Sequence, residues 1–224
     1  MKKLLFSLTI LALSTPVCSR AMDKPPQGQR GRIIWQQVDY QREVDAYEQK
    51  RDAEYGEERA LDVAGVNRGM IIGEVGAGNG YFTLKLARRV GPTGKIVAND
   101  ILEGALAELR YRAEKQRLSN IETIVGTETD PRLSRFRFDM VFLVRVLHDL
   151  ERPVEVLDKI RASLKPGAKV IIVEVEREAH DGKSTSPQTR QQFLDVIART
   201  PFVVERVDKS LPNPRSVVFI LAPK

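Results

Sequence analysis

Cysteine is nearly missing from this chain of 224 residues: Cys18 is the single one. Histidine occurs twice, at His148 and His180. One cysteine closes no internal disulfide, and if the N-terminal segment is removed no thiol nucleophile or cysteine metal site survives. Two histidines far apart in sequence, without cysteines, argue against a metal centre. Aromatic residues make up 6% of the chain, and no stacking stripe or long basic run is visible. That argues against a nucleic-acid partner. The apolar stretch "LLFSLTILAL", residues 4–13, is too short to cross a bilayer as a mature helix.

That stretch has another use. It follows the basic "MKK" and precedes small residues, with "VCS" and "SRA" as cleavage-compatible ends at Ser19 and Ala21. The order of charge, apolar run and small residues predicts a secretory signal over residues 1–21, and hence an exported, periplasmic protein. Val17 before Cys18 is a poor fit to a lipoprotein signal. Cleavage after Ala21 removes Lys2, Lys3 and Arg20, lowering the formal charge from +6 to about +3. No stable membrane insertion is expected after cleavage.

Residues 22–34, rich in proline, glycine and charge, predict a flexible leader. Residues 35–68 predict two helices, the first sparse in apolar positions and expected to cover a cleft or lie on the sheet edge; "NRG" at 67–69 ends the second. From residue 69 the pattern alternates. Apolar strands are expected at 70–75, 94–100, 121–126, 138–147 and 168–176, with helices at 79–91, 102–119, 153–164 and 187–200 between or after them. Two further strands, "FVVERVDKS" and "RSVVFILA", are joined by "LPNP", which leaves no room for a helix and so predicts an antiparallel pair. The sum is an α/β fold: a doubly wound, mostly parallel sheet of seven strands with a final antiparallel strand.

"EVGAGNG", residues 74–80, joins the first of these strands to the first helix. Three alternate glycines exceed what a plain turn needs; they let a ligand approach backbone N–H groups. The register is G-x-G-x-G, and Tyr81 stands where a dinucleotide fingerprint has its third glycine. No G-K-[ST] follows, which excludes a phosphate-binding Walker loop. Asp100 ends the next strand, twenty positions after Gly80, where a carboxylate can accept both ribose hydroxyls.

With "EVGAGNGYFTLKLARRVGPTGKIVANDI" in view, the chain resembles class I S-adenosylmethionine-dependent methyltransferases, in particular bacterial members with an N-terminal signal sequence. The resemblance runs from Gly69 to about Ile220 and implies S-adenosylmethionine as cofactor. It implies that Gly76, Gly78 and Gly80 pass under the methionine part, that Glu74 orients the amino group, that Asp100 holds the ribose and that Ile101 packs on adenine. Thr127 and Glu128 match the adenine-edge position, although many relatives have Asp where Thr127 stands. Arg145, after the fourth strand, departs from the small or acidic residue common there. A cation at that point pairs with the cofactor carboxylate, pairs with Glu74, or disturbs the sulfonium site.

Methyl transfer from a sulfonium leans on positioning and desolvation, and needs a base only when the acceptor loses a proton. His148, just past the fourth strand, is the candidate general base, against a plain packing role at a turn. Asp149 beside it in sequence is not expected to form a dyad, because neighbours point apart. His180 lies on a polar loop and is expected at the surface. "LVRVLHDL" lacks the Asn/Asp-Pro-Pro-aromatic stretch of amino-methylating DNA enzymes, and no Pro-Cys nucleophile exists. A small-molecule acceptor follows as the expectation. The alternative is a non-catalytic cell-envelope binding protein that keeps the fold. A nicotinamide-dependent oxidoreductase is disfavoured by Tyr81 and by the lack of a Tyr-x-x-x-Lys pair.

Overall fold

A computed structural model describes residues 40–177 and 189–224. The expected signal, the leader and His180 lie outside the described residues. Contacts divide the chain into Met1–Gln41 and Arg42–Lys224. Of the first unit only the opening residues of one helix are described. The sheet, its covering helices and the candidate site belong to the second.

The elements in order are α1 (Tyr40–Tyr55), α2 (Arg59–Ala64), β1 (Ile71–Val75), α3 (Tyr81–Val90), β2 (Lys95–Asp100), α4 (Glu103–Lys115), β3 (Ile121–Val125), β4 (Phe138–Val144), α5 (Pro153–Arg161), β5 (Leu164–Val175), α6 (Arg190–Ala198), β6 (Phe202–Asp208) and β7 (Ser216–Pro223). A short 3-10 turn, Leu147–Asp149, follows β4. The seven strands form one sheet in the order β3-β2-β1-β4-β5-β7-β6. β1 to β5 pair in parallel, while β7 runs antiparallel to both β5 and β6. The expected fold class is therefore the observed one.

The near-continuous apolar runs of β4 and β5 follow from burial on both faces. Val141, Leu143, Ile172 and Phe219 pack toward Leu157, Phe193 and Ile197 of α5 and α6. Ile72, Phe142 and Ile171 pack toward Leu61 of α2 and Phe82 and Leu86 of α3. Leu106 and Leu109 of α4 close over Ala77 and Ala98. Several boundaries differ from the sequence reading: the strand expected at 138–147 ends at Val144 and the helix expected at 102–119 ends at Lys115, and two differences change the local chain path. α2 stops at Gly65, which takes a left-handed φ of 74° and caps the helix, so 67–69 lies past its end. β5 starts at Leu164 and runs through Lys165-Pro166-Gly167, where the sequence predicts a turn; the pairing with β4 absorbs this as an irregularity between Phe138 and Met140. Among the described residues no helix is long and apolar enough to cross a membrane.

The strand order reverses between β1 and β4, with β2 and β3 on one side and β5 on the other. The crevice at the carboxyl ends of these strands is where ligands bind in open α/β sheets. The loops after β1, β2, β3 and β4 all open there.

Candidate functional site

The loop after β1 is shaped by glycine where no other residue fits. Gly76, Gly78 and Gly80 have φ of 75°, 55° and 91°. A Cβ on Gly76 would lie 2.1 Å from Val146 Cγ2, and one on Gly80 2.2 Å from Leu109 Cδ1. A Cβ on Gly78 would meet nothing within 4 Å. Two glycines thus let the loop sink against β4's exit and α4, and the third turns bare backbone toward open space. Asn99 O accepts the N–H groups of Gly76 (2.8 Å) and Ala77 (2.9 Å), tying the loop to β2.

Asp100 reaches this loop directly. Its Oδ2 accepts the Gly78 N–H at 2.8 Å, and its Oδ1 accepts the Leu102 N–H at 2.9 Å. Each oxygen is fixed by one backbone donor and keeps lone-pair capacity for a hydroxyl. Ile101 beside it is 50% exposed, an apolar surface offered at the rim. Bare backbone at Gly78, an oriented carboxylate and an open apolar shelf fit a nucleoside with a ribose diol and a flat base.

Glu74 is buried, 2% exposed, on the α3 side of β1. Its Oε2 accepts the Thr83 hydroxyl at 2.5 Å. Burial pushes its carboxyl up to about 8, against the pull of Thr83 and of the Arg51 charge, and with the Asp100 charge adding to the rise. A buried acid perturbed in this way beside the glycine loop is a functional-site candidate.

Thr127 and Glu128 sit exposed on the loop after β3. Thr127 spends its polar groups on its own turn: its N–H donates to Asp130 O at 2.8 Å and its Oγ1 accepts from the Asp130 N–H at 3.0 Å. The loop still passes the crevice, since the Gly126 N–H donates to Asp100 O at 3.0 Å.

Arg145 does not pair with Glu74, one of the alternatives its position left open. It takes φ 57°, and its guanidinium lies 4.6 Å over the Tyr55 ring and 3.7 Å from Glu57 Oε1. The left-handed backbone swings the side chain toward the α1–α2 junction, away from β1. Glu57 is fully buried and paired with Arg51 Nη2 at 2.6 Å; burial raises its carboxyl, opposed by Arg51 and Arg145. Arg51, not Arg145, is the cation that Glu74 senses.

His148 has a partner that sequence reasoning missed. Its Nδ1 lies 2.8 Å from Oε2 of Glu174, which is 1% exposed at the carboxyl end of β5, and its backbone N–H donates to Glu174 Oε1 at 3.3 Å. A carboxylate accepts only, so Nδ1 carries the proton and Nε2 is the free lone pair. Burial lowers the affinity of this imidazole for a second proton, but Glu174 and then Asp149 outweigh it and raise the histidine above its ordinary value. Asp149, expected to form no dyad, stands 3.5 Å from Nε2, exposed and beyond hydrogen-bond reach. The available signal was Glu174 itself, a lone acid in the apolar run "VIIVEV".

Tyr81, which sets the glycine register, is buried against α1. Its hydroxyl donates to Asp52, and Arg51 lies 4.0 Å over its ring. Burial and the Asp52 bond hold the phenol far above its usual range.

A model of the family described as "Methyltransferase domain" matches residues 67–203, more than half of the chain. The demethylmenaquinone methyltransferase of Lactococcus lactis is 29% identical over 106 residues, 47% of this chain and 42% of that protein. The ubiquinone/menaquinone biosynthesis C-methyltransferase UbiE of Hydrogenovibrio crunogenus is 29% identical over 125 residues, 53% of this chain and 47% of that protein. The chain thus spans about half the length of the curated relatives it matches. Among solved structures, a SAM-dependent methyltransferase from Aquifex aeolicus superposes with a TM-score of 0.68 at 21% identity, covering 80% of this chain and 96% of that one. That likeness is one of fold.

Proposed function

The chain belongs to the methyltransferase-domain family, whose cofactor is S-adenosylmethionine, and from that premise we propose that it methylates a small-molecule acceptor which loses a proton to His148. The observation that carries the cofactor side is the Gly78 N–H bonded to Asp100 Oδ2 beneath an unobstructed glycine backbone. In this reading Asp100 holds the ribose, Ile101 lies against the adenine and Glu74 takes the amino group. Thr127 and Glu128 flank the adenine edge from an exposed loop. When bound, S-adenosylmethionine supplies a methyl group on a positively charged sulfur.

On the acceptor side, His148 Nε2 accepts the proton that leaves the attacking atom, and Glu174 holds the ring in the tautomer that leaves Nε2 free. The imidazolium formed is stabilised by the buried carboxylate at 2.8 Å. Arg145, stacked on Tyr55 and only loosely paired with Glu57, is given no role in this transfer. With a demethylmenaquinone methyltransferase and a ubiquinone/menaquinone biosynthesis C-methyltransferase among its relatives, an acidic ring hydroxyl or ring carbon is the acceptor class to assay first.

The experiment is binding of S-adenosylmethionine, S-adenosylhomocysteine and NAD to the full chain by thermal shift, then methyl transfer to a panel of phenolic and quinol acceptors. Stabilisation by NAD alone would sink the cofactor assignment. Methylation of phenolic acceptors at undiminished rate in His148→Gln would remove His148 as the base. Export is proposed separately, from the order of charge, apolar run and small residues in 1–21. N-terminal sequencing of the cell-derived protein tests it: a mature start at Met22 or Arg20 supports export, and an intact Met1 contradicts it.

A further inference from the structure

α1 has few apolar residues with which to hold itself down. Tyr47 is 58% exposed, and the sequence of the helix is mostly charged. What fastens it are charges, and these fall around one place. Asp52 accepts from Lys85 Nζ at 2.8 Å and from the Tyr81 hydroxyl. Glu48 accepts from Arg112 Nη2 with both oxygens, at 2.7 and 2.8 Å.

Arg112 is the unusual member of this set. It lies on α4, 3% exposed, one turn from the Leu109 that seats Gly80. Its Nη1 donates to the backbone carbonyl of Asn79, between Gly78 and Gly80, at 2.9 Å. Its Nε has no partner among the described residues. A buried guanidinium is costly to keep and is seldom retained for stability alone. One planar group here grips the glycine loop with one arm and α1 with the other.

We propose that Arg112 is a positioning residue for cofactor binding: it joins α1 to the glycine loop, so that docking of α1 and the binding shape of the loop favour each other. This rests on the cofactor assignment above. If α1 lifts, Glu48 leaves with it and Arg112 keeps a buried charge with a carbonyl as its remaining partner. The loop's anchor at Asn79 is then free to shift. A ligand that fixes the loop returns Arg112 to the geometry that receives Glu48. Such coupling is reciprocal by thermodynamic necessity.

The test uses the full-length chain, titrated with S-adenosylhomocysteine by calorimetry, with tryptic cleavage inside α1 followed in parallel. In the wild type, S-adenosylhomocysteine is expected to slow cleavage of α1. Glu48→Gln leaves Arg112 in place and is expected to weaken binding roughly 10-fold and to abolish the protection. Arg112→Lys, which reaches one partner but not both, is expected to fall between. Unchanged affinity and protection in Glu48→Gln, with normal binding by the wild type, would overturn the coupling alone. No binding by the wild type would overturn the cofactor assignment and the coupling with it.

Discussion

On the β1–β2 side the loop that meets Asp100 is made of backbone: Asn99 O holds the N–H groups of Gly76 and Ala77, and the N–H groups of Gly78 and Leu102 aim the Asp100 carboxylate. On the β4–β5 side it is made of side chains: His148, Glu174 twenty-six residues away, and Arg145 bent toward Tyr55 and Glu57. The first half needs glycine and one acid at fixed spacing, and tolerates little else. The second half is assembled from pairings that fold geometry alone creates. In the proposed reading the first kind of construction serves the cofactor and the second the acceptor.

If the halves divide the work in this way, each can be broken without the other. The largest expected effect is on the β4–β5 side. His148→Gln should lower kcat by roughly 10²- to 10⁴-fold while S-adenosylhomocysteine affinity stays within about twofold. Glu174→Gln should follow with a smaller loss, and should also move the acidic limb of the pH profile down. The sign follows from the raised histidine: activity needs neutral Nε2, so the wild type gains activity as pH rises through a value above that of ordinary histidine, and removing the Glu174 charge lowers that value. Steady-state kinetics across pH on an accepted substrate reads both.

Next in size is the loop. Gly80→Ala forces a Cβ against Leu109 in a left-handed backbone and should cost roughly 2–5 kcal/mol of stability. Gly78→Ala meets nothing and should cost less than half of that, yet weaken S-adenosylhomocysteine binding more than it weakens the fold. Denaturant melts and calorimetry on the two variants separate packing from ligand approach.

A smaller effect concerns Glu74. Its carboxyl, held near 8 by burial, keeps its proton in the folded chain where the unfolded chain has lost it. The Glu74 contribution to the stability of the free protein is therefore full below the ordinary glutamate range and falls by up to a few kcal/mol as pH climbs toward 8, against the opposite trend of Glu122, Asp139, Glu176 and Asp208, whose carboxyls are held low. Glu74→Gln should remove that slope. If Glu74 receives the cofactor's ammonium in its ionised form, affinity for S-adenosylhomocysteine should rise over the same interval in the wild type and stay flat in the variant. The smallest expected change is Thr127→Ala, whose hydroxyl closes its own exposed turn; it should alter affinity and melting by less than about 0.5 kcal/mol.

The same contrast sets how much of the molecule is legible in its sequence. The strand–helix alternation, the antiparallel ending and the meeting of the glycine loop and Asp100 at one crevice follow from local patterns, because backbone-built features leave their mark in glycine spacing and strand ends; the Gly78 N–H bond to Asp100 itself does not. The acid behind His148 does not, since Glu174 becomes its neighbour only when β5 pairs with β4. Asp149 makes no hydrogen bond to His148, in line with neighbours that point apart, yet a 3-10 turn carries it near Nε2. Arg145 faces neither Glu74 nor β1, because its positive φ, invisible in sequence, sends it toward Tyr55. Likewise Arg112 reads as one more helix-surface cation until α1 and the glycine loop meet on it.

The most direct measurement of the central claim is calorimetric titration of S-adenosylhomocysteine into the full-length wild type and Asp100→Ala. The backbone-built half predicts clear binding to the wild type and at least roughly 10-fold weaker binding to Asp100→Ala, with both proteins folded. Equal affinity in the two would contradict it.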